Sequence, residues 1–439
     1  MSYNIGLTGL YAANKALSVT GNNIANVATT GFKSSRTEFA DQYAASIKAT
    51  SGKTNVGSGV TTAAVSQLFT QGNITSTGQS LDLAINGNGF FVLNDGGSKL
   101  YTRSGAFYSD KDGNIVDVKG NNLQGYNAVD GAVQTGVMSN LKIDTSNIEP
   151  KATGKITETL NLNSSAAVPT VSPFDPTNTS SYNYTFNTSL YDSQGNEHQM
   201  NQYFIKDDTS NSWKMYTTVD GRNPADPVNS TEPLVNDLPF KSDGTLDIDN
   251  MTAGPVTDGL TIRADKSFTL AGWQPASKNT DGTYSLNGAT ANAAGVQLDM
   301  LTMTQYNAAS ATTAKTQDGY ATGEMAGVSV DSSGVLFANF TNGQDKVIGQ
   351  LAMANFANVQ GLSPVGGTDW KETNGSGVAV IGTPDTGTLG SLQSESLEDS
   401  NVDLTAELVN LIKAQSNYQA NAKTISTEST IMQTIIQMT

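Results

Sequence analysis

Residues 400–439 read SNVDLTAELVNLIKAQSNYQANAKTISTESTIMQTIIQMT. Within them Leu404, Leu408, Leu411, Gln415, Tyr418, Ala422, Ile425, Ser429, Met432 and Ile436 follow one another by alternating steps of four and three. A 3.5-residue repeat keeps one narrow apolar seam along a helix, the pattern of a coiled coil rather than the broader stripe of a core helix. The same steps recur at the other end of the chain in Leu7, Leu10, Asn14, Leu17, Gly21, Ile24 and Ala28. Residues 5–30 therefore read as a second helix. Gly6, Gly9 and Gly21 weaken it by about 1 kcal/mol each, so it needs a partner to be stable. Asn14 on the seam costs stability but can fix register. Two such helices at opposite ends of one chain predict that they pair, and that their seams serve self-assembly. The expected seam comprises Leu7, Leu10, Asn14, Leu17 and Ile24 with Leu404, Leu408, Leu411, Gln415, Tyr418, Ile425, Met432 and Ile436.

Between the helices the periodicity changes from 3.5 to 2. Residues 31–78, rich in Thr, Ser and Gly, read as an extended connector with short strands. Leu81, Leu83 and Ile85 alternate with Asp82 and Ala84, and Asn86-Gly87-Asn88-Gly89 then supplies turn chemistry before Phe90–Leu93, which predicts a hairpin. Asp110-Lys111-Asp112-Gly113-Asn114 predicts a turn leading to Ile115-Val116. Pro169, Pro173 and Pro176 mark a loop. Strands resume through Tyr182, Tyr184 and Phe186, then Trp213 and Tyr216, then short segments to Thr316, and a hairpin over 329–340. The predicted fold is mainly β, with nested β-domains in the middle of the chain flanked by N- and C-terminal α-helices that pair as a coiled coil. The expected division is a terminal helical domain (1–30 with 400–439), the connector (31–78), an inner β-domain (79–145 with 316–399) and an outer β-domain inserted into it (146–315).

Composition narrows the function. The chain has 439 residues and a net charge of −16, with 37% hydrophobic and 15% charged residues and 43 glycines. Its sequence pI of about 4.4 opposes binding to nucleic acid or to an anionic membrane. The charge is uneven: 19 acidic and 10 basic side chains lie between Asp144 and Lys315, while the first 37 residues carry no acid. An acid-free N-terminus suits close packing beside copies of itself, with Lys15 and Lys33 as the charges to reverse in a test. There is no cysteine, hence no disulfide, thiolate nucleophile or Cys-based metal site. No apolar run reaches 18 residues, so membrane insertion is not expected, and the first thirty residues lack the form of a cleavable secretory signal.

Candidates for chemistry are few. A Ser-His-Asp triad would have to use His198, the single histidine, but its place after the 193–196 turn reads as a solvent-facing or hairpin residue. Asp110, Asp112, Asn114 and Asp117 have the composition of a calcium loop, but the glycine is misplaced and Asn121 stands where the bidentate Glu belongs. A plain β-turn fits better. Gly87-Asn88-Gly89 is followed by no helix that could hold a phosphate. Neither an enzyme nor a cofactor is expected.

At the end of the first helix stand Asn22-Asn23-Ile24-Ala25-Asn26 and then Thr29-Thr30-Gly31-Phe32-Lys33. This stretch resembles the signature of bacterial flagellar rod and hook axial proteins. Residues 81–91 (LDLAINGNGFF) and 101–107 (YTRSGAF) are similar to the β-domain motifs of that family. Ser400–Leu404, Glu407–Asn410 and Asn417–Asn421 are similar to its C-terminal helix. The resemblance covers about the first 145 and the last 120 residues, in blocks of the right order.

Rod subunits lack a long β insertion, so the segment from Asp144 to Lys315 makes the chain similar to hook subunits. The resemblance then implies a structural protein that polymerises into a curved, flexible tube and passes torque from rod to filament as a universal joint. It also implies unfolded export through the flagellar type III apparatus without signal cleavage, to an extracellular place in the hook. The implied partners are copies of itself, a distal rod protein, a hook cap protein and a hook-filament junction protein. Phe39 followed four residues later by Tyr43 is similar to an export-recognition pattern, with Tyr43 at its apolar position. The rival readings are a distal rod subunit forming a straight tube, and a secreted β-domain adhesin or hydrolase.

Overall fold

A computed structural model describes residues 2–42, 57–129, 131–208, 211–256 and 259–438. Among the described residues, two α-helices, α1 (Ser2–Ala25) and α2 (Leu404–Met438), bracket short strands, turns and two single-turn 3-10 helices (Thr179–Ser181 and Val359–Gly361). The residues form two compact units. One comprises Met1–Thr145, Ala326–Asn339 and Asp345–Thr439, the other Ser146–Met325 and Phe340–Gln344.

In the first unit the two ends of the chain are woven together. Strand Ile74–Ser76 pairs antiparallel with Ser396–Glu398, and Leu83–Asn86 with Ser391–Ser394. These long-range pairs bring the start of α2 beside the end of α1, and the two helices pack on each other. Strands Ser35–Asp41 and Val60–Gln67 form an antiparallel ribbon that packs on α1. The main sheet runs from an edge at Met325–Val330 through Val335–Phe340, Asp345–Leu351, Asn122–Val129, Phe90–Asp95 and Ser98–Thr102 to Asp369–Lys371 and Ser363–Gly366. Its core is aromatic: Phe90 meets Phe69, Phe356 and Trp370 at centroid distances of 5.7, 5.9 and 5.7 Å, geometries that favour edge-to-face contact.

The second unit is two packed sheets. Strands Tyr184–Tyr191, Glu197–Lys206, Ser212–Val219 and Leu234–Pro239 form a regular antiparallel meander. Facing it is a mixed sheet built around Lys155–Asn163, which pairs parallel with Val296–Asp299 and Thr304–Tyr306 and antiparallel with Ala311–Gln317. Inward residues of both sheets, among them Leu160, Phe204, Trp213, Met215, Phe268 and Leu298, make one core.

Three local expectations change. The first helix ends at Ala25 rather than 30, where Asn26 turns its side chain back to the Asn22 carbonyl and competes with helical bonding. Leu83–Asn86 and Phe90–Asp95 do not pair with each other. The first pairs with Ser391–Ser394, while Phe90–Asp95 forms its hairpin with Ser98–Thr102. Leu83, Ala84 and Ile85 are all buried, so that strand is covered on both faces, and its Leu/Ile alternation is no sign of a half-exposed hairpin arm. Of the short strands expected in 31–78, two form the ribbon against α1. His198 lies in the expected hairpin but is only 4% exposed. Its Nδ1 is hydrogen-bonded to Asp220 Oδ2 at 2.7 Å and its Nε2 to Asp192 Oδ2 at 3.4 Å, with Trp273 edge-on at 5.3 Å. Two carboxylates meet the ring's polar edges, so burial leaves neither nitrogen unsatisfied.

At 110–114 the turn forms as read: Asp110 accepts the Asp112 and Asn114 backbone N–H groups at 2.8 Å each. That is an Asx-type turn.

Candidate assembly surface

The helix pair is joined along small and polar side chains. On α1 the positions Gly6, Gly9, Ala13, Ala16 and Thr20 follow steps of three and four. A Cβ on Gly6 would sit 3.0 Å from Ile425 Cγ1, and one on Gly9 would sit 2.3 Å from Asn421 Oδ1. The glycines that weaken the helix locally are therefore what lets α2 approach. On α2 the matching line is Glu407, Asn410, Ala414, Asn417 and Asn421, all beside a cavity of about 840 Å³ between the two helices and the ribbon. Of α2 only Ala414 is fully buried. The two helices run antiparallel, with the start of α1 opposite residue 425.

Each of these positions precedes a residue of the sequence-derived seam by one. One residue is about 100° of rotation on a helix, so both seams lie to the side of the pairing line. Leu7, Leu10, Leu17, Ile24, Leu411 and Ile425 are half-buried and Asn14 and Gln415 are exposed. Leu404, Leu408, Tyr418, Met432 and Ile436 are 43%, 45%, 37%, 57% and 70% exposed. Beyond Ile425, α2 runs on to Met438 past the start of α1, with Ile431 and Ile435 also exposed. The pair thus presents an apolar flank of the kind that marks an interaction surface. Lys15, the basic residue of α1, is exposed. Phe39 is exposed on the ribbon strand, and Tyr43 lies outside the described residues.

The Asn22–Lys33 motif holds this pair to the β-structure. Buried Asn23 donates to the Ser35 carbonyl at 2.8 Å and accepts the Ser35 N–H at 2.9 Å. Asn401, just before α2, accepts the Ser34 N–H at 2.7 Å and donates to the Leu68 carbonyl at 2.7 Å. Asp403 then caps α2, its Oδ1 accepting the Thr405 and Ala406 N–H groups, as an N-cap carboxylate should. Thr30 and Phe32 are half-buried, Asn22 and Ala25 exposed. Gly31 has φ of 68° and gives its N–H to the Glu398 carbonyl at 2.8 Å. A Cβ there would meet the Ser104 backbone nitrogen at 2.5 Å.

Lys33 is the centre of this junction and not a surface charge. Its Nζ donates to Glu398 Oε1 at 2.6 Å and to the Thr70 carbonyl at 2.8 Å. Arg103 donates to Glu398 Oε2 at 3.1 Å and to the Gly87 carbonyl at 2.7 Å, and the Gly72 N–H reaches Glu398 Oε1 at 2.9 Å. The side chains of Lys33, Arg103 and Glu398 are 0%, 5% and 0% exposed. Burial holds the Lys33 amine and the Arg103 guanidinium below their usual ranges, partly offset by Glu398. One carboxylate thus serves two buried cations, and four separate chain segments meet on it. Sequence reasoning quoted Lys33 and Arg103 inside separate motifs and passed over Glu398, which in 396–400 (SLEDS) looks like one more solvated acid. The signal was the pair of basic residues in two motifs with no acid of their own.

Relatives match this chain from end to end. It is 39% identical over 442 residues, 100% of both chains, to the flagellar hook protein FlgE of Escherichia coli strain K12. The chain belongs to the flagellar hook protein family. The Salmonella typhimurium flagellar hook protein FlgE is also 39% identical, over 443 residues and 100% of both chains. That of Borreliella burgdorferi is 33% identical over 449 residues, 99% of this chain and 98% of its own. By segment, residues 4–33 match the flagella basal body rod protein family, 84–158 the flagellar hook protein FlgE/F/G D1 domain, 161–320 the flagellar basal body protein FlaE D2 domain, and 393–438 the flagellar basal body rod FlgEFG protein C-terminal family. Lys33, Arg103 and Glu398 each fall inside a matched segment, so the hook family's shared parts meet at the junction.

Proposed function

We propose that this chain is the structural subunit of a bacterial flagellar hook, polymerising into a curved, flexible tube that carries torque from rod to filament as a universal joint. The observation that carries the reading is identity to hook proteins over the whole chain, insertion included. The proposed division is a terminal helical domain (1–30 with 400–439), a connector (31–78), an inner β-domain (79–145 with 316–399) and an outer β-domain inserted into it (146–315).

In this account the flank bearing Leu404, Leu408, Tyr418 and Met432 is closed by neighbouring copies, with Leu7, Leu10, Asn14, Leu17, Ile24, Leu411, Gln415, Ile425 and Ile436 along the same seam. Burying the exposed half of such an apolar side chain contributes about 1 kcal/mol, so several per subunit support a lasting contact. A heterologous contact that does not close on itself generates an open helical polymer. Outer contacts between acidic, Asn- and Thr-rich surfaces are weaker and hydrated, and re-form as the tube bends. The subunit reaches its extracellular place by the flagellar type III export apparatus without cleavage, with Phe39 and Tyr43 read as a linear signal before folding. Its neighbours at the ends of the tube are a distal rod protein, a hook cap protein and a hook-filament junction protein.

Electron microscopy of polymer grown from the purified full chain tests the reading. Curved tubes are expected. Straight tubes would point to a rod subunit, and failure to polymerise under any condition would overturn the assignment.

A further inference from the structure

Strand Lys155–Asn163 sends Ile156, Glu158, Leu160 and Leu162 into the core of the second unit. Three are aliphatic and one is a carboxylate, with 0% exposure. Among the described residues Glu158 has no ion-pair partner. Its Oε1 accepts the Thr188 hydroxyl at 3.1 Å, and its Oε2 has no hydrogen-bond partner. The Gln202 side chain lies against the carboxyl, is itself 0% exposed, and its Oε1 also lacks a partner. Gln202 Nε2 points instead at the sulfurs of Met215 and Met300, 3.6 Å away from each.

Glu158 Oε2 and Gln202 Oε1 are each buried without a hydrogen, which is costly because each forfeits its water without replacement. Turning the Gln202 amide over would aim its oxygen at two thioethers, which donate nothing. With the Gln202 amide so held, a proton on the carboxyl is what removes the buried, unpaired charge of Glu158. We propose that Glu158 is a buried proton-binding site, kept as the neutral acid, so that the second unit of the hook subunit gives up this proton only by loosening its core.

The surrounding charges do not supply an alternative. Lys315 stands opposite Glu158 in register on the neighbouring strand, but its amine donates to the Asn187 carbonyl at 3.1 Å and lies over the Phe186 ring. On the other flanking strand Asp299 faces Lys155 at 3.5 Å. In the meander packed across the core, Tyr184 is held by Thr312 and His198 is committed to Asp220 and Asp192. Burial pushes Glu158 up to about 7 from an ordinary 4.5, against the opposing pulls of Thr188, Gln202 and Lys315.

The sign follows from linkage. The folded state holds a proton that the unfolded chain releases above 4.5, so the stabilisation is full below that pH and is lost as pH rises through about 7. A tenfold loss per pH unit over this window makes the folded-to-unfolded ratio fall on the order of 300-fold.

The test uses the full chain, monomeric in solution, with 13C at the glutamate side-chain carboxyl. Glu158→Gln, an uncharged replacement of the same shape as the neutral acid, identifies the resonance. One glutamate signal is expected to titrate near or above pH 7 and to be missing from the variant. Calorimetry should show Glu158→Gln raising the unfolding temperature of this unit at pH 8 and leaving it near the parent's at pH 4.5. If every glutamate titrates in the ordinary carboxylate range, or if Glu158→Gln lowers the unfolding temperature at pH 8, the proposal is wrong.

Discussion

Replacing Glu398 by Gln should cost far more than replacing Lys33 by Met, although both remove one charge from the same buried cluster. Glu398 accepts from Lys33, Arg103 and the Gly72 N–H at 2.6, 3.1 and 2.9 Å. The amide introduced by Glu398→Gln keeps the shape and one acceptor for Gly72 but leaves two buried cations facing only the Thr70 and Gly87 carbonyls. Breaking a buried pair from one side costs about 3–5 kcal/mol, because the remaining charge stays desolvated and unpaired. Lys33→Met instead removes a desolvated amine and leaves Arg103 paired to Glu398, so an isosteric apolar replacement should cost about 1 kcal/mol. Native-state hydrogen exchange at the Gly31 and Gly72 amides, both bonded to residue 398, reads the difference locally. With every 1.4 kcal/mol a factor of ten, protection at these amides should fall by roughly two to three and a half powers of ten in Glu398→Gln. It should fall by about one power or less in Lys33→Met. Equal losses in the two variants, or less than tenfold in Glu398→Gln, would refute the claim that one carboxylate holds the junction.

Gly21→Ala should stabilise α1 by about 1 kcal/mol, since nothing lies within 4 Å of the added carbon. Gly31→Ala should instead destabilise by several kcal/mol, about 1–2 from the left-handed backbone alone, the rest from collision with the Ser104 backbone. Denaturant midpoints check both. His198 is pulled down by burial but raised overall by Asp220 and then Asp192. Its stabilising charge is full below an ordinary histidine value and is lost as pH rises through the raised folded one. The unfolding temperature of the second unit in His198→Gln should accordingly lie closest to the parent's at alkaline pH and furthest below it at mildly acidic pH. Leu408→Asp and Met432→Asp should leave monomer stability within about 0.5 kcal/mol, as surface changes do, yet block polymerisation in a sedimentation assay.

The helices were legible because a 3.5-residue repeat of large apolar side chains is a strong signal, and the β character because turn residues punctuate it. The line on which the helices meet was not, since Gly6, Gly9, Ala13, Asn417 and Asn421 are small or polar and give no apolar signal, and the Leu-rich seam beside them dominates the pattern. Local alternation likewise suggested that residues 81–86 pair with 90–93. Their true partner lies some three hundred residues on, where no short-range rule reaches. His198 and Glu398 illustrate the same limit. Each reads as a solvated residue in its own neighbourhood and is buried only because distant segments bring Asp220, or Lys33 and Arg103, to meet it. The motif at Asn22–Lys33 was found as a resemblance, but its physical task, joining the ribbon and the β-domain to the start of α2 through Asn23 and Lys33, needed the structure.

The most direct test of the account is a side-chain-resolution electron cryomicroscopy map of the polymer formed by the purified chain. It should show Leu408, Tyr418 and Met432 covered by neighbouring subunits, while Gly6 and Gly9 stay against Ile425 and Asn421 of their own chain. A polymer in which those three side chains face open solvent, with the subunits joined by their outer β-domains alone, would contradict it.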